Sequence, residues 1–253
     1  MFNIMISNNK ENIIIIPARL NSSRLSRKLL LNIGKKSILQ HTYENSIKSK
    51  YSSRSVILVD SPELFSHCKT FTDDVVLTSN KHNSGTERIL EFLENENKYQ
   101  NIVNVQADEP FISPNLIDDL FLQLKNGENI VTYGLLSNFN KYQNNHNEVK
   151  IVLDKKSYAI YFSRSDIPFF REKNINQQKL IHIGIYGYKR SELILFGSYK
   201  NNKLENIEKL EQLRFIENNV KIKVLITDKF TVGIDTMEDY KNAIKYYEEK
   251  HIK

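Results

Sequence analysis

The 253-residue chain contains a single cysteine, so it can form no internal disulfide and offers no cysteine cluster to a metal ion. Cys68 lies in an apparent helix, where we expect it to pack as a small hydrophobic residue rather than to act as a nucleophile. No segment approaches about 18 consecutive apolar residues, and the N-terminus lacks a cationic start followed by a long apolar run. We therefore expect a soluble, cytoplasmic protein with no membrane partner.

Two common nucleotide-binding motifs are also missing. The P-loop pattern GxxxxGK(S/T) does not occur, and GIYGY at 184–188 has the wrong spacing for the dinucleotide pattern GxGxxG. The net charge is +6, from 36 Lys and Arg against 30 Asp and Glu, but no basic stripe interleaves with aromatic residues. A nucleic-acid partner is therefore not expected.

Short β-rich segments alternate with helical patterns along the chain. The predicted strands are 12–17, 55–60, 74–77, 101–106, 129–136, 149–153, 181–188 and 221–227. The predicted helices are 37–49, 61–70, 86–97, 114–125, 190–199, 204–217 and 236–250. This alternation predicts an α/β fold with a mostly parallel sheet and helices on both faces. The length suits a single domain over 1–253, with or without a small appended lobe.

The segment NIIIIPARLNSSRLSRK, Asn12–Lys28, indicates a ligand site. Its four consecutive isoleucines predict a strand buried on both faces, and the residues after the strand supply Arg19, Arg24 and Lys28. Open α/β sheets bind ligands at the carboxyl ends of their strands, and these cations suit phosphate oxygens. We expect a polyanionic ligand here. The alternative is a solvated basic loop after a core strand.

Two acidic residues follow other predicted strands. Asp108 comes directly after a buried strand in VNVQADEP, and Asp235 stands before Thr236 at a helix start in GIDTMEDY. Each has a structural alternative, since Asp108 can cap the turn before Pro110 and Asp235 can cap the helix. Two carboxylates at strand ends can instead chelate one hard cation that keeps its other positions for phosphate and water. The sequence therefore predicts a Mg²⁺ site on a nucleotide phosphate.

The segment KHNSGTER, residues 81–88, predicts a loop that leads into a helix near Thr86. Gly85 would let the backbone approach a ligand closely, and the N–H groups of the first helical turn attract anions. The alternative is an ordinary capped helix start.

Further candidates lie in the second half of the chain. The predicted helix 204–217 has an apolar stripe formed by Leu204, Ile207, Leu210 and Phe215. Glu211 falls inside this stripe, and its carboxylate needs a partner because burying it alone is costly. That partner is either Arg214 or a polar substrate that Glu211 and Gln212 face. His182 alternates with apolar residues in KLIHIGIYGY and is either a satisfied half-buried residue or a ligand contact.

Eight segments, collinear over almost the whole chain, resemble the 3-deoxy-manno-octulosonate (Kdo) cytidylyltransferases, also called CMP-Kdo synthetases. The segments are IIPARLNSSRL, NSGTER, VNVQADEP, EVKIVLD, YAIYFSRSDIPF, HIGIYGY, LEQLR and GIDTMEDY. The resemblance implies a Rossmann-like α/β fold with a smaller sugar-binding and dimerisation lobe over about 138–217. It also implies a homodimer that uses Mg²⁺ to transfer CMP from CTP to Kdo for lipopolysaccharide biosynthesis, with release of pyrophosphate.

By motif position, the resemblance implies a set of site residues. Those expected at the triphosphate are Arg19, Arg24 and Lys28. Those expected around the rest of the nucleotide are Ser84, Gly85, Arg88 and Gln106. Those expected to hold Mg²⁺ are Asp108 and Asp235, which together with Arg19 and Lys28 would carry catalysis. Those expected to face the sugar are Arg164, His182, Tyr186, Glu211 and Gln212.

The chain departs from the family pattern in three places. RLPGKPL becomes RLSRKLL, so that Ser26 and Arg27 replace Pro-Gly and Leu29 replaces Pro. QGDEP becomes QADEP at Ala107, and VDTPED becomes IDTMED. CTP affinity and loop closure are the properties that these changes would alter. Two alternatives stay open: a cytidylyltransferase for a related acid sugar, such as 8-amino-Kdo or a nonulosonic acid, and a non-catalytic nucleotide-binding protein.

Overall fold

A computed structural model describes residues 9–22, 24–138, 145–172, 178–200, 202–228 and 233–251. The chain forms two compact units, one of residues 1–122 and 232–253 and the other of residues 123–231. The sequence predicts a smaller lobe over about 138–217, a range that lies inside the second unit. Within the described residues, no helix has both the length and the apolar character needed to cross a membrane.

The secondary structure follows the predicted alternation. The strands are β1 Asn12–Ala18, β2 Asn32–Ile33, β3 Lys36–Ser37, β4 Arg54–Val59, β5 Val75–Leu77, β6 Asn101–Asn104, β7 Ile130–Asn138, β8 Lys150–Leu153, β9 Ala159–Ser163, β10 Gln178–Lys189 and β11 Lys223–Thr227. The helices are α1 Ile38–Ser46, α2 Pro62–Cys68, α3 Gly85–Glu94, α4 Pro114–Lys125, α5 Arg190–Ser198, α6 Lys203–Glu208, α7 Leu213–Glu217 and α8 Met237–His251. The β2–β3 hairpin and β9 have no counterpart among the predicted strands.

The first unit has a parallel sheet with β1 at its centre. β1 pairs with β6 on one side and with β4 on the other, β4 pairs with β5, and all three pairings are parallel. The four isoleucines Ile13–Ile16 are fully buried, as expected for a strand covered on both faces. Because parallel strands end at the same edge, the loops after β1, β4 and β6 lie together. The predicted α/β class is confirmed.

The second unit is a mainly antiparallel arrangement. β7 pairs antiparallel with β10 and parallel with β11, while β8 pairs antiparallel with both β10 and β9. The sequence did not indicate this change of strand direction. Hydrophobic runs buried on both faces look alike in parallel and antiparallel strands, so composition alone does not separate them.

The prediction of one continuous helix over 204–217 is wrong. The chain forms the two short helices α6 and α7, and Lys209 between them has a left-handed backbone with φ 55°. Of the predicted apolar stripe, Leu210 and Phe215 are buried, but Ile207 is 76% exposed. Glu211 therefore lies in the turn between two helices rather than on a helical stripe.

Cys68 packs inside the first unit as the sequence predicts. Its side chain is fully buried in α2, and burial raises the pKa of the thiol to about 12. A thiol with so high a pKa supplies almost no thiolate at neutral pH, so Cys68 is not a nucleophile.

Candidate active site

The basic loop after β1 is attached both to the turn that follows β4 and to the first turn of α2. The backbone N–H of Leu20 donates to Oδ1 of Asp60 at 3.0 Å, and the Arg27 guanidinium pairs with Glu63 of α2. Arg27 has φ 55°, a left-handed conformation that costs a residue with a side chain about 1–2 kcal/mol. The chain thus keeps a glycine-like turn at the position where the family pattern has Gly, and holds it with an ion pair.

Directly after this turn, a short 3₁₀ helix over Lys28–Leu30 brings Lys28 between two carboxylates. Its Nζ lies 2.5 Å from Oδ2 of Asp108 and 2.8 Å from Oδ1 of Asp235. Burial by itself would lower the pKa of Lys28, but the two carboxylates outweigh burial and raise that pKa above its ordinary value. Lys28 is therefore an ammonium that binds both acids at once.

A backbone hydrogen bond joins the two segments that carry these acids. The N–H of Ile234 donates to the carbonyl of Asp108 at 3.0 Å. On its other side, Oδ2 of Asp235 lies 3.0 Å from Nη2 of Arg24. The structure thus brings together four of the residues that the sequence assigned to the phosphate and the metal: Arg24, Lys28, Asp108 and Asp235.

The helix α8 has a cap that does not involve the side chain of Asp235. The N–H of Asp239 donates to Oγ1 of Thr236 at 3.1 Å, and the N–H of Thr236 donates to Oδ2 of Asp239 at 2.8 Å. This reciprocal pair is a capping box. The alternative in which the Asp235 carboxylate caps the helix is therefore wrong.

Asp108 and Asp235 fit a divalent cation that arrives with a phosphate ligand. Their oxygens converge on one point, as the position of Nζ of Lys28 between them demonstrates. The described residues contain no group of three or more Asp, Glu, His or Cys that would form an all-protein cage. Mg²⁺ is commonly bound by one or two carboxylates and completes its shell with phosphate and water, so this donor set suits it.

The start of α3 has an ordinary cap. The Ser84 hydroxyl accepts from the N–H of Glu87 at 3.2 Å. Gly85 has no left-handed backbone, and a Cβ placed on it would meet Pro17 at 3.4 Å, an ordinary van der Waals distance. The glycine is thus tolerant of a methyl group, and its predicted role in a close approach to ligand stays a prediction.

Arg88 of α3 is fully buried beneath this loop. Its guanidinium donates to the Thr78 hydroxyl and, at 3.0 Å, to the carbonyl of Ser79. Its Nε and Nη2 have no hydrogen-bond partner within the described part of the chain. Arg19 is exposed nearby and donates to the carbonyl of Asn83 at 3.3 Å. Buried donors without partners are costly unless water or a ligand meets them.

Residues on either side of Asp108 differ sharply in environment. Gln106 is exposed, and its carbonyl accepts from the N–H of Glu109 at 3.2 Å. Glu109 is buried; burial, followed by the charge of Asp108, raises the pKa of its carboxyl to about 8. At neutral pH Glu109 is mostly protonated, so Asp108 supplies the negative charge of the DEP segment.

In the second unit, a bulge in β10 determines the positions of the side chains that the resemblance assigns to the sugar. The register with β7 shifts between Ile183 and Tyr186. Oγ1 of Thr132 on β7 lies 2.8 Å from the carbonyl of Ile185 and 3.2 Å from that of Ile183, so it satisfies the bulged backbone. The same Oγ1 lies 3.1 Å from Nε2 of His182.

The imidazole of His182 is neutral and has a defined tautomer. Its ring contacts Phe162 and Tyr186, with centroids 5.3 and 5.2 Å apart, and burial lowers its pKa to about 3. Thr132 has one hydroxyl proton, which it donates to a carbonyl of the bulge, so it accepts from Nε2–H. Nδ1 of His182 therefore carries the lone pair.

Glu211 belongs to the same aromatic cluster. Tyr186 stacks on Tyr188, with centroids 5.4 Å apart. Burial raises the pKa of each phenol well above the ordinary value for tyrosine. The charge of Glu211 raises it further. Gln212 follows Glu211 and is buried just before α7. The structure thus places Tyr186 against His182 and within electrostatic range of Glu211, three residues that the resemblance assigns to the sugar.

Arg164 is held by backbone groups. Its guanidinium donates to the carbonyl of Glu208 at 2.9 Å and to that of His146 at 3.1 Å, and its own N–H donates to Oε2 of Glu208 at 3.0 Å. These contacts give Arg164 a structural role, because they join the end of β9 to the end of α6 and to the segment at His146. Its predicted contact with the sugar stays a prediction.

Sequence reasoning did not identify two residues that hold candidate site residues in place. Thr132 orients His182, and its only sequence signal is a single threonine in the largely apolar segment IVTYGLL. Glu208 holds Arg164 and Ser163, but on the helical pattern it is one of several acidic residues with no distinguishing feature.

Comparisons with known proteins agree with this arrangement. A cytidylyltransferase family model matches residues 13–222. The 3-deoxy-manno-octulosonate cytidylyltransferase of Fusobacterium nucleatum is 40% identical over 241 residues, which cover 94% of this chain and 98% of the relative. That of Thermodesulfovibrio yellowstonii is 40% identical over 247 residues, which cover 92% of this chain and 96% of the relative.

A solved structure supports the same relationship. It is a CMP:2-keto-3-deoxy-manno-octonic acid synthetase complexed with CTP, which superposes with a TM-score of 0.88 at 29% identity and covers 95% of this chain and 99% of its own. A cytidylyltransferase from Leptospira borgpetersenii, with a TM-score of 0.61 at 20% identity, shares the fold. The chain belongs to the cytidylyltransferase family, and within it to the 3-deoxy-manno-octulosonate cytidylyltransferases.

Proposed function

We propose that this protein transfers CMP from CTP to Kdo and releases pyrophosphate. The observation that carries the proposal is the meeting of Lys28, Asp108 and Asp235 at the carboxyl edge of a parallel sheet, in a chain of this family. A basic loop beside two converging carboxylates suits a nucleoside triphosphate with its cation.

The residues of the first unit act on the nucleotide. Arg19, Arg24 and Lys28 bind the triphosphate and stabilise the charge that develops on the pyrophosphate as it leaves. The family motif also assigns Arg88 to the nucleotide site, where its fully buried side chain would act by holding Thr78 and the carbonyl of Ser79. The other residues assigned to the nucleotide are Ser84, Gly85 and Gln106.

Mg²⁺ is the proposed metal, and Asp108 and Asp235 would hold it. When bound, it would neutralise phosphate charge and polarise the phosphate oxygens. The reaction forms a bond between the anomeric oxygen of the sugar and the α-phosphorus of CTP, while the bond from that phosphorus to pyrophosphate breaks in line. The protein contributes mainly position and charge neutralisation.

The residues of the second unit recognise the sugar. Nδ1 of His182 accepts from a sugar hydroxyl, since Nε2 already donates to Thr132. Glu211 and Gln212 bind further hydroxyls, Tyr186 forms an aromatic wall, and Arg164 pairs with the sugar carboxylate.

A homodimer and a cytoplasmic location remain part of the proposal. The second unit exposes several large apolar side chains that a second copy would cover: Leu136, Ile160, Phe169, Ile207 and Ile226. Sedimentation equilibrium of the full chain tests the dimer. A monomer across the micromolar range would contradict it.

The test of the activity is pyrophosphate release from CTP in the presence of Mg²⁺ and Kdo, with 8-amino-Kdo and a nonulosonic acid in parallel reactions. We expect release that depends on Kdo and ceases without sugar. Faster release with another acid sugar would reassign the acceptor. CTP binding without release for any sugar would instead indicate a non-catalytic nucleotide-binding protein.

A further inference from the structure

We propose that Lys28 occupies the cation position between Asp108 and Asp235 in the nucleotide-free protein, so that a divalent cation enters only together with CTP. This inference rests on the proposed function and adds an order of binding to it. The ammonium lies within 2.5 Å of one carboxylate and 2.8 Å of the other, which is where a shared cation would sit.

The surroundings favour the lysine over a free cation. The side chain of Lys28 is only 11% exposed, and it is held by the short helix that follows the Arg27 turn. Asp235 also pairs with Arg24, so the carboxylates already face two positive charges without any metal. A bare divalent cation would have to displace an ammonium that bonds to both acids, and it would lose part of its own hydration to do so.

A triphosphate changes this balance. Its oxygens offer Lys28 an alternative anionic partner, and lysine binds phosphate as a point charge. Once the ammonium turns to the phosphate, both carboxylates face the cation that the nucleotide carries with it. Lys28 thus has two partners in sequence: the acids in the free protein and the triphosphate in the complex.

The experiment is a titration of the full-length protein with Mn²⁺, followed by electron paramagnetic resonance of the free ion, with and without CTP and with no sugar present. For wild type we expect weak Mn²⁺ binding alone and, for the ternary complex, binding that is at least about tenfold tighter than that of Mn²⁺ to CTP or protein separately. For Lys28→Met without CTP, we expect Mn²⁺ affinity to rise at least about tenfold over wild type. Adding Asp108→Asn to Lys28→Met should abolish that gain.

Two control variants separate occupation of the site from a general change of charge. Arg24→Met also removes one positive charge next to Asp235 but leaves the ammonium in place, so it should raise Mn²⁺ affinity much less than Lys28→Met does. Lys36→Met removes a lysine that pairs with Glu44 elsewhere in the first unit and should change nothing. Equal gains for Arg24→Met and Lys28→Met would overturn the inference.

Two further results would overturn the inference. One is tight Mn²⁺ binding by nucleotide-free wild type, and the other is an unchanged Mn²⁺ affinity in Lys28→Met. If Lys28→Met does not fold, Lys28→Gln and the wild-type titrations with and without CTP give the answer. Because no sugar is present, these titrations are independent of turnover: wild type that binds as expected but releases no pyrophosphate with Kdo would contradict the proposed function alone.

Discussion

Arg214 and Glu205 form a two-point ion pair in which Nε and Nη2 of the arginine each lie 2.6 Å from a carboxylate oxygen. Both side chains are largely buried, and the guanidinium also lies 3.8 Å from the ring centroid of Phe196. Arg214 thus has a carboxylate partner in α6, and the two variants below test the roles of Glu205 and Glu211 separately.

Glu205→Gln should lower the free energy of unfolding by about 1–3 kcal/mol, because it leaves a buried guanidinium without its charged partner. Urea denaturation at neutral pH measures the loss. Turnover by the folded fraction should stay near the wild-type value, and a large loss of turnover with unchanged stability would contradict this structural role.

Glu211→Gln should lower turnover and leave stability nearly unchanged, the reverse of what we expect for Glu205→Gln. The substitution keeps the shape of the side chain but removes the charge proposed to face the sugar, so turnover should fall at least about tenfold, or ~1.4 kcal/mol. The melting temperature and CTP binding should move little. A clear loss of stability with normal turnover would remove Glu211 from the proposed sugar site.

The break between α6 and α7 illustrates the limit of periodicity. Apolar spacing predicted one helix over 204–217, and Leu210 and Phe215 are indeed buried. Nothing in the local pattern forecasts the left-handed backbone at Lys209, because lysine is a good helix former. Tertiary packing overrides propensity at that point, and it places Glu211 in a turn beside Tyr186 and Tyr188.

Asp108→Asn and Asp235→Asn should each reduce turnover at least about a hundredfold, or ~2.7 kcal/mol, because each removes one charge from the proposed cation site. Stability should change little, since Lys28 keeps its second carboxylate in each case. Asp118→Asn is the matched control: this carboxylate accepts from Ser49 and from the N–H of Lys50, so its loss should lower stability but spare turnover. Near-normal turnover in Asp108→Asn or Asp235→Asn would refute the role of that residue.

The turn before Lys28 offers a test of backbone strain. Arg27→Ala and Arg27→Gly both lose the ion pair with Glu63, but only glycine relieves the left-handed conformation. We expect Arg27→Gly to be more stable than Arg27→Ala by about 1 kcal/mol, as judged by chemical denaturation. Equal stabilities would mean that the turn costs arginine nothing.

His182 should make stability depend on pH. Its folded pKa is about 3, below the ordinary value of 6.5, so between these values the unfolded chain binds more protons than the folded one. Stability should therefore be fully present above about pH 6.5 and fall with acidification, by up to about 1.4 kcal/mol per pH unit for this one group.

Urea denaturation of wild type and His182→Gln between about pH 5 and pH 8 measures this contribution. Glutamine keeps a donor toward Thr132 but does not titrate, so below about pH 6.5 wild type should lose stability relative to the variant as the pH falls. The difference between the two proteins isolates His182 from other buried groups that titrate in this range, such as Glu109. His146→Gln, which alters an exposed histidine, is measured in parallel as the matched control. A slope unaffected by His182→Gln would contradict the account of the buried imidazole.

Sequence reasoning predicted that Arg24, Lys28, Asp108 and Asp235 meet in the first unit, because the signals for this are local. An isoleucine run, the cations after it and acids at strand ends follow from strand burial and from the common edge of a parallel sheet. The partnership of Lys28 with Asp108 and Asp235 joins positions up to 207 residues apart, and no spacing rule reveals it. The same holds for Arg164, whose partners at 146 and 208 come together only through the antiparallel strands of the second unit.

The most direct test of the proposed activity is ³¹P nuclear magnetic resonance of wild-type protein incubated with CTP, Mg²⁺ and Kdo. The account predicts that the three triphosphate resonances decline while one phosphodiester resonance and pyrophosphate appear in equal amounts. An unchanged triphosphate spectrum, or formation of CMP and pyrophosphate without a phosphodiester to the sugar, would contradict it.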